Sequence, residues 1–420
     1  MDSGGTGEPY FSEFRGFGLD CMKMKNILPG LIAILLGTFI ALVLGEALLR
    51  LFWKEGSHYY LWPPGYQTEL TPRVELMPGV EPVAHLRVNS NGIRGSEWSD
   101  DRKSEYRIIT IGGSTTECLY LDQAANWSTL LEKGLDDQAG EPAVWVGNLG
   151  RAGFNSRDHV AFMQHVLDQY DVDAVVMLLG GNDMIHRLMK GDGYDPRFME
   201  DKPRFYRWLR KRFVSVPVTS PLFESSWYKR TYLFGFLRRY RRALTDRRNV
   251  VRDKSGAWIG KLRAARRNAK KTDELIGLDS GLAEYESNIR TIIREANNRG
   301  VDLVLLTQPA IWHGNLPVQQ EDSLWWGVRA DGEYYSSGAL ATAMERYNQR
   351  LLDVCADTGT ACIDMAARIP QTSDIYYDDM HYTKYGSEFF ASVLLDELRR
   401  NKLLLFARRQ PARVTENATQ

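Results

Sequence analysis

Residues 107–116 read RIITIGGSTT, an apolar run that ends in two glycines and Ser114. The run predicts a buried β-strand. Because glycine has no side chain, the backbone can turn sharply after the strand and leave Ser114 at its carboxyl end, near the start of a helix. Gly-Gly-Ser alone also fits a plain turn or a phosphate-binding loop. The chain contains no GxGxxG and no GxxxxGKS/T pattern, however, so nucleotide binding lacks its usual support.

Four further apolar runs follow along the chain, and amphipathic stretches separate them. The runs are residues 143–149, 173–179, 301–307 and 361–365, and helix-like segments lie near 126–137, 156–170, 279–299, 337–357 and 384–402. Continuous Val/Ile/Leu runs between helices predict a parallel sheet that is buried on both faces. We therefore expect an α/β fold, a three-layer α/β/α sandwich with a five-stranded parallel sheet. Ligands of such sheets bind beyond the carboxyl ends of the strands.

Polar motifs follow the predicted strands at these ends. GRAGFNS at residues 150–156 follows the second run, GGND at 180–183 follows the third, and DDMH at 378–381 follows the fifth. Each motif alone has an ordinary structural explanation, since glycines form turns and Asn or Asp residues cap helices. Their combination at one edge of the sheet favours a functional site there.

These motifs resemble those of the SGNH (GDSL-like) hydrolase superfamily, whose four sequence blocks carry Ser, Gly, Asn and His in that order. Ser114 in GGST matches the first block, Gly153 in GRAG the second and Asn182 in GGND the third. Asp378 and His381 match the DxxH of the last block. The match covers residues 105–185 and 280–400. The resemblance implies a flavodoxin-like SGNH fold and acyl-ester chemistry.

The first block departs from the common family pattern. It has Gly113 where the usual GDS form has Asp. GGS is a variant found in the membrane-anchored bacterial branch of the superfamily, so the resemblance is to that branch. The departure removes one supporting carboxylate and leaves the assignment of the nucleophile intact.

Acyl-transfer chemistry gives these residues their expected roles. A serine hydroxyl is a poor nucleophile unless a base takes its proton, and His381 can be that base because its reference pKa of about 6.5 suits accepting and returning a proton. Asp378 can hydrogen-bond the other ring nitrogen and stabilise the imidazolium. The resemblance implies that the oxyanion hole consists of the N–H groups of Ser114 and Gly153 and the side-chain amide of Asn182.

The sequence gives less support for a functional role of the other polar residues near these motifs. His186 follows the Asn182 motif and His313 follows the fourth run, so both are candidates for substrate contact. Asp379 adjoins the predicted pair, but neighbouring side chains rarely reach the same imidazole, so we expect Asp378 to be the partner. The sequence has neither a CxxC pair nor a His, Cys, Asp and Glu cluster with metal-ligand spacing, so we expect no metal and no cofactor.

Residues 27–45 (ILPGLIAILLGTFIALVLG) carry no charge and are long enough to cross a bilayer core of about 30 Å. Lys23 and Lys25 precede the run, which favours a cytoplasmic N-terminus. A cleaved signal peptide is the rival, but its apolar stretch is usually shorter and this run lacks a convincing A-x-A site. We expect an uncleaved single-pass anchor, a cytoplasmic segment 1–26 and an extracytoplasmic catalytic domain, periplasmic if the protein is bacterial.

The remaining organisation follows from composition along the chain. We expect a cap or linker at residues 56–104 and a hydrolase domain at 105–405, with a helical insertion at 186–278 and a disordered tail at 406–420. The insertion is basic, since residues 202–271 contain 22 Lys and Arg against three Asp and Glu. With its interleaved aromatic residues, this excess favours helices that lie on lipid headgroups, and a solvated helical insertion is the alternative. A nucleic-acid partner is not expected for an extracytoplasmic domain.

The overall composition excludes few classes of protein. Hydrophobic residues make up 44% and charged residues 25% of the 420 positions, as in ordinary globular proteins, and the formal net charge is zero. Four cysteines are too few for a disulfide scaffold. Cys355 and Cys362 stand seven apart, and they either pair in an oxidising compartment or are two buried thiols.

Three functions remain compatible with these residues. The leading hypothesis is hydrolysis of acyl esters on a cell-envelope carbohydrate or a lipid. O-acetyl transfer to a polysaccharide would use the same residues, with a sugar hydroxyl in place of water. The third is a non-catalytic carbohydrate- or membrane-binding protein, which would have no need for the complete set of Ser114, Asp378 and His381.

Overall fold

A computed structural model describes residues 21–52, 60–139, 143–201 and 253–403, together with a few positions between 204 and 251. The predicted tail 406–420, residues 1–20 of the predicted N-terminal segment and most of the basic stretch up to residue 252 lie outside the described residues.

The described part of the chain alternates strands and helices. The strands are β1 (Gln67–Leu70), β2 (Ala84–Arg87), β3 (Glu105–Gly112), β4 (Ala143–Asn148), β5 (Ala174–Leu178), β6 (Lys271–Thr272), β7 (Asp302–Leu306), β8 (Tyr334–Tyr335) and β9 (Ala361–Ile363). The helices are α1 (Cys21–Phe52), α2 (Ser114–Glu117), α3 (Trp127–Ala139), α4 (Ser156–His165), α5 (Gly181–Lys190), α6 (Trp258–Asn268), α7 (Asp279–Arg299), α8 (Val318–Glu321), α9 (Ser337–Thr358) and α10 (Lys384–Arg400).

The central sheet has five parallel strands in the order β4-β3-β5-β7-β9. This confirms the predicted sheet, and each strand coincides with one of the five apolar runs. Along the chain the order reads 2-1-3-4-5, the doubly wound arrangement of flavodoxin-like sheets. The chain reverses its direction of winding between β3 and β5, so the loops after these two strands diverge and leave a crevice at that point.

Helices cover both faces of the sheet, as expected for a sandwich. On one face α3 packs against β4 and α10, and on the other α7 packs against α4, α9 and β7. All eight residues of β3 and all five of β5 are buried, which explains why both read as continuous apolar runs without polar alternation. The rigid sheet therefore holds the ends of β3 and β5 in place.

The segment before β3 forms an antiparallel hairpin, β1-β2, and then a tight turn at Asn91-Gly92, where Gly92 has φ +74°. Val88 and Arg94 pair across this turn, and Arg94 also pairs with Asn148 at the outer edge of β4. The Arg94 side chain is fully buried and donates to three backbone carbonyls, those of residues 117, 118 and 121. This segment consequently supports the loop that follows Ser114.

The N-terminal helix α1 is longer than the predicted span of 27–45. Its residues Pro29–Phe52 are long and apolar enough to cross a membrane by length and composition, a test that a signal sequence also passes. Near its end, Glu46 accepts the backbone N–H groups of Tyr232 and Leu233 at 3.1 and 2.9 Å. The basic insertion therefore contacts the end of the apolar helix through these two residues.

Cys355 and Cys362, whose pairing the sequence leaves open, are joined by a disulfide with a Cα–Cα distance of 6.2 Å. Cys355 lies in the last turn of α9 and Cys362 lies in β9. The disulfide therefore links the end of α9 to β9, the edge strand of the sheet.

Candidate active site

Ser114 stands at the end of the central strand β3. Gly112 ends the strand, Gly113 follows it, and Ser114 begins the short helix α2. A Cβ atom on Gly113 would lie 2.3 Å from Asn182 Nδ2, so a side chain at this position would collide with Asn182. This close approach is a physical reason for a glycine at position 113.

His381 and Asp378 meet Ser114 from the loop between β9 and α10. The Nε2 atom of His381 lies 2.7 Å from Ser114 Oγ, across 267 residues of sequence. Its Nδ1 atom lies 2.9 Å from both carboxylate oxygens of Asp378. Asp378 also accepts the backbone N–H of His381 at 2.9 Å, which holds the loop in the turn that this contact requires. Serine, imidazole and carboxylate thus form one continuous hydrogen-bonded chain.

The charges of this pair stabilise each other. Burial raises the pKa of Asp378, but the adjacent His381 and the hydrogen bonds from His381 and Trp325 more than offset this and leave that pKa lowered. Burial lowers the pKa of His381, and the Asp378 carboxylate more than offsets this, so that pKa is raised from 6.5. The Asp378 carboxylate therefore favours the charged form of the His381 imidazole.

Trp325 belongs to this arrangement, although no sequence motif indicated it. Its indole N–H donates to Asp378 Oδ2 at 2.8 Å, and its ring lies nearly parallel to the His381 imidazole at 6.1 Å. The ring of Tyr377 is also nearly parallel to the imidazole, at 5.8 Å. The only available signal was the position of Trp325 in the long connection after β7, at the carboxyl edge of the sheet.

Asp379 has a different environment from its neighbour. It accepts the indole N–H of Trp312 at 2.9 Å and the backbone N–H groups of Trp325 and Trp326 at 2.8 and 3.1 Å. Burial and the charge of Asp378 raise its pKa to about 6. Asp379 therefore ties the connection after β7 to the His381 loop, and Asp378 is the carboxylate that contacts the imidazole.

The residues expected at the oxyanion hole lie beside Ser114. Asn182 is the second residue of α5, which follows β5, and it donates from Nδ2 to the carbonyl of Phe154 at 2.7 Å. An amide group has a second hydrogen that can bind an oxyanion. Gly153 has φ +72°, a conformation that favours glycine. Ser114, Gly153 and Asn182 all line the same cavity.

Two buried acids hold the surrounding loops. Glu117 accepts the backbone N–H of Ala152 at 2.9 Å and lies 3.4 Å from the guanidinium of Arg151, so it fixes the loop that contains Gly153. Asp183 accepts the backbone N–H of Ser156 at 3.0 Å, and burial raises its pKa to about 7. The first contact joins the ends of the neighbouring strands β3 and β4, and the second joins the ends of β4 and β5, which flank β3 on either side.

A cavity of about 690 Å³ lies in front of Ser114, and we refer to it as the Ser114 cavity. Its floor contains Ser114, Asn182, Asp378 and His381. Its walls are mainly apolar and aromatic side chains. They come from several segments, which include residues 118–121, α5, α6 and residues 325–328. The arrangement can bind an ester with its carbonyl at Ser114 and its apolar part along the walls.

His186 and His313, the two other histidines considered from the sequence, lie outside this cavity. On α5 the residues that line it are Asn182, Ile185 and Met189, which share one face of the helix, and His186 lies on the adjacent face with its ring 5.7 Å from that of Tyr194. His313 lines a separate groove beside β7 and β9. The structure thus does not bring either residue to Ser114.

Among the residues that the structure describes, no group of three or more His, Cys, Asp or Glu side chains is arranged to hold a metal ion. At Ser114, a serine hydroxyl, an imidazole and a carboxylate are hydrogen-bonded in series. This arrangement can activate a serine as a nucleophile.

Comparison with known proteins gives distant structural likenesses. No protein-family model matches the chain, and no curated protein matches it. Among solved structures, the acetylxylan esterase Axe2 from Geobacillus stearothermophilus is 15% identical, with 70% of this chain and 96% of that chain covered and a TM-score of 0.38. LAE5, an α/β hydrolase enzyme from the metagenome of Lake Arreo in Spain, is also 15% identical, with 71% and 96% covered and a TM-score of 0.38. At this TM-score the likenesses do not bear on activity.

Proposed function

We propose that this protein is a serine esterase of the SGNH type that hydrolyses acyl esters. The observation that supports this most directly is the hydrogen-bonded series of Ser114, His381 and Asp378, with Ser114 Oγ 2.7 Å from His381 Nε2. That distance lies within the range over which a base can take a proton from a nucleophile.

The proposed reaction has two steps. Ser114 Oγ attacks the ester carbonyl carbon while its proton passes to His381 Nε2, and the alcohol leaves with that proton as the acyl-enzyme forms. Water then attacks the acyl-enzyme, again giving a proton to His381. The carboxylic acid leaves and the Ser114 hydroxyl is restored. Asp378 keeps the imidazole oriented throughout and stabilises its charged form.

The carbonyl oxygen becomes negative in both steps and needs donors that are already in place. We assign this role to the N–H groups of Ser114 and Gly153 and to the Asn182 amide, which lie together at the cavity floor. Gly113 permits the close approach of Asn182 to the nucleophile. A preorganised donor of this kind contributes about 10²–10³ in rate.

The setting of the proposed enzyme is the outer side of a membrane. Helix α1 as an uncleaved anchor with a cytoplasmic N-terminus would place residues 60–403 outside the cytoplasm, in the periplasm if the protein is bacterial. The disulfide between Cys355 and Cys362 supports an oxidising compartment. The contact of Glu46 with Tyr232 and Leu233 supports a basic insertion that lies near the bilayer.

The test is the reaction of the purified full-length protein with a fluorophosphonate probe and with p-nitrophenyl esters. We expect one covalent label per chain and Ser114-dependent ester hydrolysis, both abolished in Ser114→Ala without a change in the thermal unfolding temperature. Normal hydrolysis by Ser114→Ala would refute the proposal. Adding a polysaccharide acceptor distinguishes the transferase: acyl release that requires the acceptor would replace hydrolysis with transfer.

A further inference from the structure

The Ser114 cavity is much larger than an acetyl ester requires. A volume of about 690 Å³ is in the range that encloses a ligand of drug size, about 300–1,000 Å³. The cavity is continuous with Ser114 and His381, so whatever fills it is attached to the reacting carbonyl or lies directly beside it. The chemistry of its walls therefore indicates which kind of group lies next to the ester bond.

Several separate segments contribute apolar side chains to these walls. Ile185 and Met189 face the cavity from α5, Trp258 and Leu262 face it from α6, and Trp325 borders it near His381. The rings of Trp258 and Trp325 pack edge to face with centroids 5.0 Å apart, which joins the α6 wall to the catalytic end. A hydrocarbon chain would contact this lining along its length.

Several of the polar side chains that border the cavity form hydrogen bonds within the protein itself. Glu117 accepts the backbone N–H of Ala152, and the side chain of Asp253 accepts that of Ser255 at 2.8 Å. The Tyr120 hydroxyl donates to the carbonyl of Asp253 at 3.3 Å. A sugar would need hydrogen-bond partners for each of its hydroxyl groups, because an unpaired polar group is costly to bury. A hydrocarbon has no such need.

The same region connects to the membrane-spanning candidate α1. Val251, Asp253 and Trp258, at the end of the basic insertion, line the cavity, while Tyr232 and Leu233 of the insertion bond to Glu46 of α1. One insertion thus contributes to the apolar wall and contacts the apolar helix. This continuity favours a bilayer as the source of the hydrocarbon.

We propose that the Ser114 cavity binds a medium or long acyl chain, of about eight carbons or more, so that the substrate is a lipid-like acyl ester and not an acetyl ester. This rests on the proposed function, since the chain is the acyl group that Ser114 accepts. Its release as a free fatty acid follows attack of water on the acyl-enzyme, with the alcohol already departed.

The experiment compares p-nitrophenyl acetate, butyrate, octanoate and decanoate, using the full-length protein in vesicles of ether-linked lipids that contain no ester. Each methylene group that leaves water should raise kcat/KM by about threefold to fourfold, so octanoate, with six more methylene groups, should exceed acetate by at least about 700-fold. A wild-type preference for acetate would overturn the acyl-chain proposal while leaving the esterase intact. Absence of hydrolysis with every ester would instead refute the proposed function.

Cavity-filling variants test the location of the chain. Leu262→Trp, and Met189→Trp at a more exposed position, should lower the octanoate-to-acetate ratio of kcat/KM by at least about tenfold, because a larger side chain removes space from the cavity. Val318→Trp is the matched control, since Val318 is 75% exposed on α8 and outside the cavity. An unchanged ratio in both folded cavity variants would overturn the proposal.

Two further measurements test the cavity without turnover and the source of the ester. Binding of 1-octanol to Ser114→Ala, monitored by tryptophan fluorescence, tests the cavity without turnover. The binding of 1-octanol should weaken in Met189→Trp. Undiminished octanol binding there would count against the assigned walls. Vesicles of phosphatidylcholine and phosphatidylglycerol then distinguish the source: release of fatty acid supports a bilayer ester, and turnover confined to monomeric esters assigns a soluble one.

Discussion

Two cavities lie among the loops that follow the strands of the central sheet. The side chains that line them differ in polarity more than the two cavities differ in volume. The Ser114 cavity has a volume of about 690 Å³ and lies where the loops after β3 and β5 diverge. A second groove of about 820 Å³ lies beside β7 and β9. Polar side chains line much of this second groove, and they include Asp273, His313, Glu345, Gln349, Asp364 and Gln371.

The difference shows how topology brings a serine and a histidine together. The strand order reverses only between β3 and β5, and there the sheet brings Ser114 and Asn182 together while the last loop supplies His381. The second groove has a histidine, but no serine or cysteine is among the described residues that line it. Volume and polar side chains alone therefore do not give a nucleophile and base in contact.

The largest expected effect is a loss of kcat that distinguishes the carboxylate at Ser114 from a carboxylate in the second groove. Asp378→Asn should lower kcat by about 10⁴, because the amide would hold the wrong imidazole tautomer and could not stabilise the imidazolium. The matched control is Asp364→Asn in the second groove, which accepts from Thr307 and does not contact the imidazole. Ester hydrolysis by both purified variants is the measurement. A comparable loss in Asp364→Asn would place catalysis partly in the second groove.

The oxyanion assignment predicts a smaller loss. Asn182→Ala should lower kcat by about 10²–10³ with little change in KM, because the amide binds the transition state more strongly than the ester. Gln349→Ala removes an amide from the second groove and is expected to have normal kinetics. If Asn182→Ala changed KM and left kcat intact, Asn182 would bind substrate without stabilising the oxyanion.

The indole of Trp325 provides a test of the support for Asp378. Trp325→Phe keeps an aromatic ring beside His381 but removes the N–H that donates to the carboxylate, so we expect kcat to fall by about tenfold, as for loss of a hydrogen bond to a charged group. Trp258→Phe removes an indole N–H from the same cavity, where the partner is the Tyr120 hydroxyl at 3.4 Å. Equal losses in the two variants would mean that the effect comes from cavity shape.

The titration of His381 predicts the acid limb of the pH–rate profile. Burial lowers its pKa and the Asp378 carboxylate more than offsets this, so the net pKa lies above 6.5. Only the neutral imidazole can take the Ser114 proton, so kcat/KM should fall about tenfold per pH unit below that raised pKa. The midpoint should move to lower pH in Asp378→Asn, because the charge that raises the pKa is lost. A wild-type midpoint well below 6.5 would contradict the geometry.

The smallest effect is expected at His313. His313→Ala should change kcat/KM by less than about twofold, because the side chain lies in the second groove and substitutions away from a site are nearly neutral. Ester hydrolysis and thermal unfolding would be measured together. A large loss of activity without loss of stability would show that the second groove participates in the reaction.

The sequence by itself predicted the strands of the sheet and the residues now grouped at Ser114. Buried parallel strands read as uninterrupted apolar runs, so β3, β5 and β7 were visible from local pattern alone. The rule that ligands bind at the carboxyl ends of strands then directed attention to Ser114 and His381. These inferences need only short-range information along the chain.

Only the tertiary structure decided what surrounds the grouped residues. Trp325 reaches Asp378 across 53 residues, and Arg94 supports the carbonyls after Ser114 from a hairpin turn that carries no motif. The direction in which His186 and His313 project depends on helix phase and loop course, which local pattern does not specify. The apolar walls of the Ser114 cavity likewise come from segments that are distant in sequence, because packing between separate elements, and not any one stretch of chain, determines the shape of a cavity.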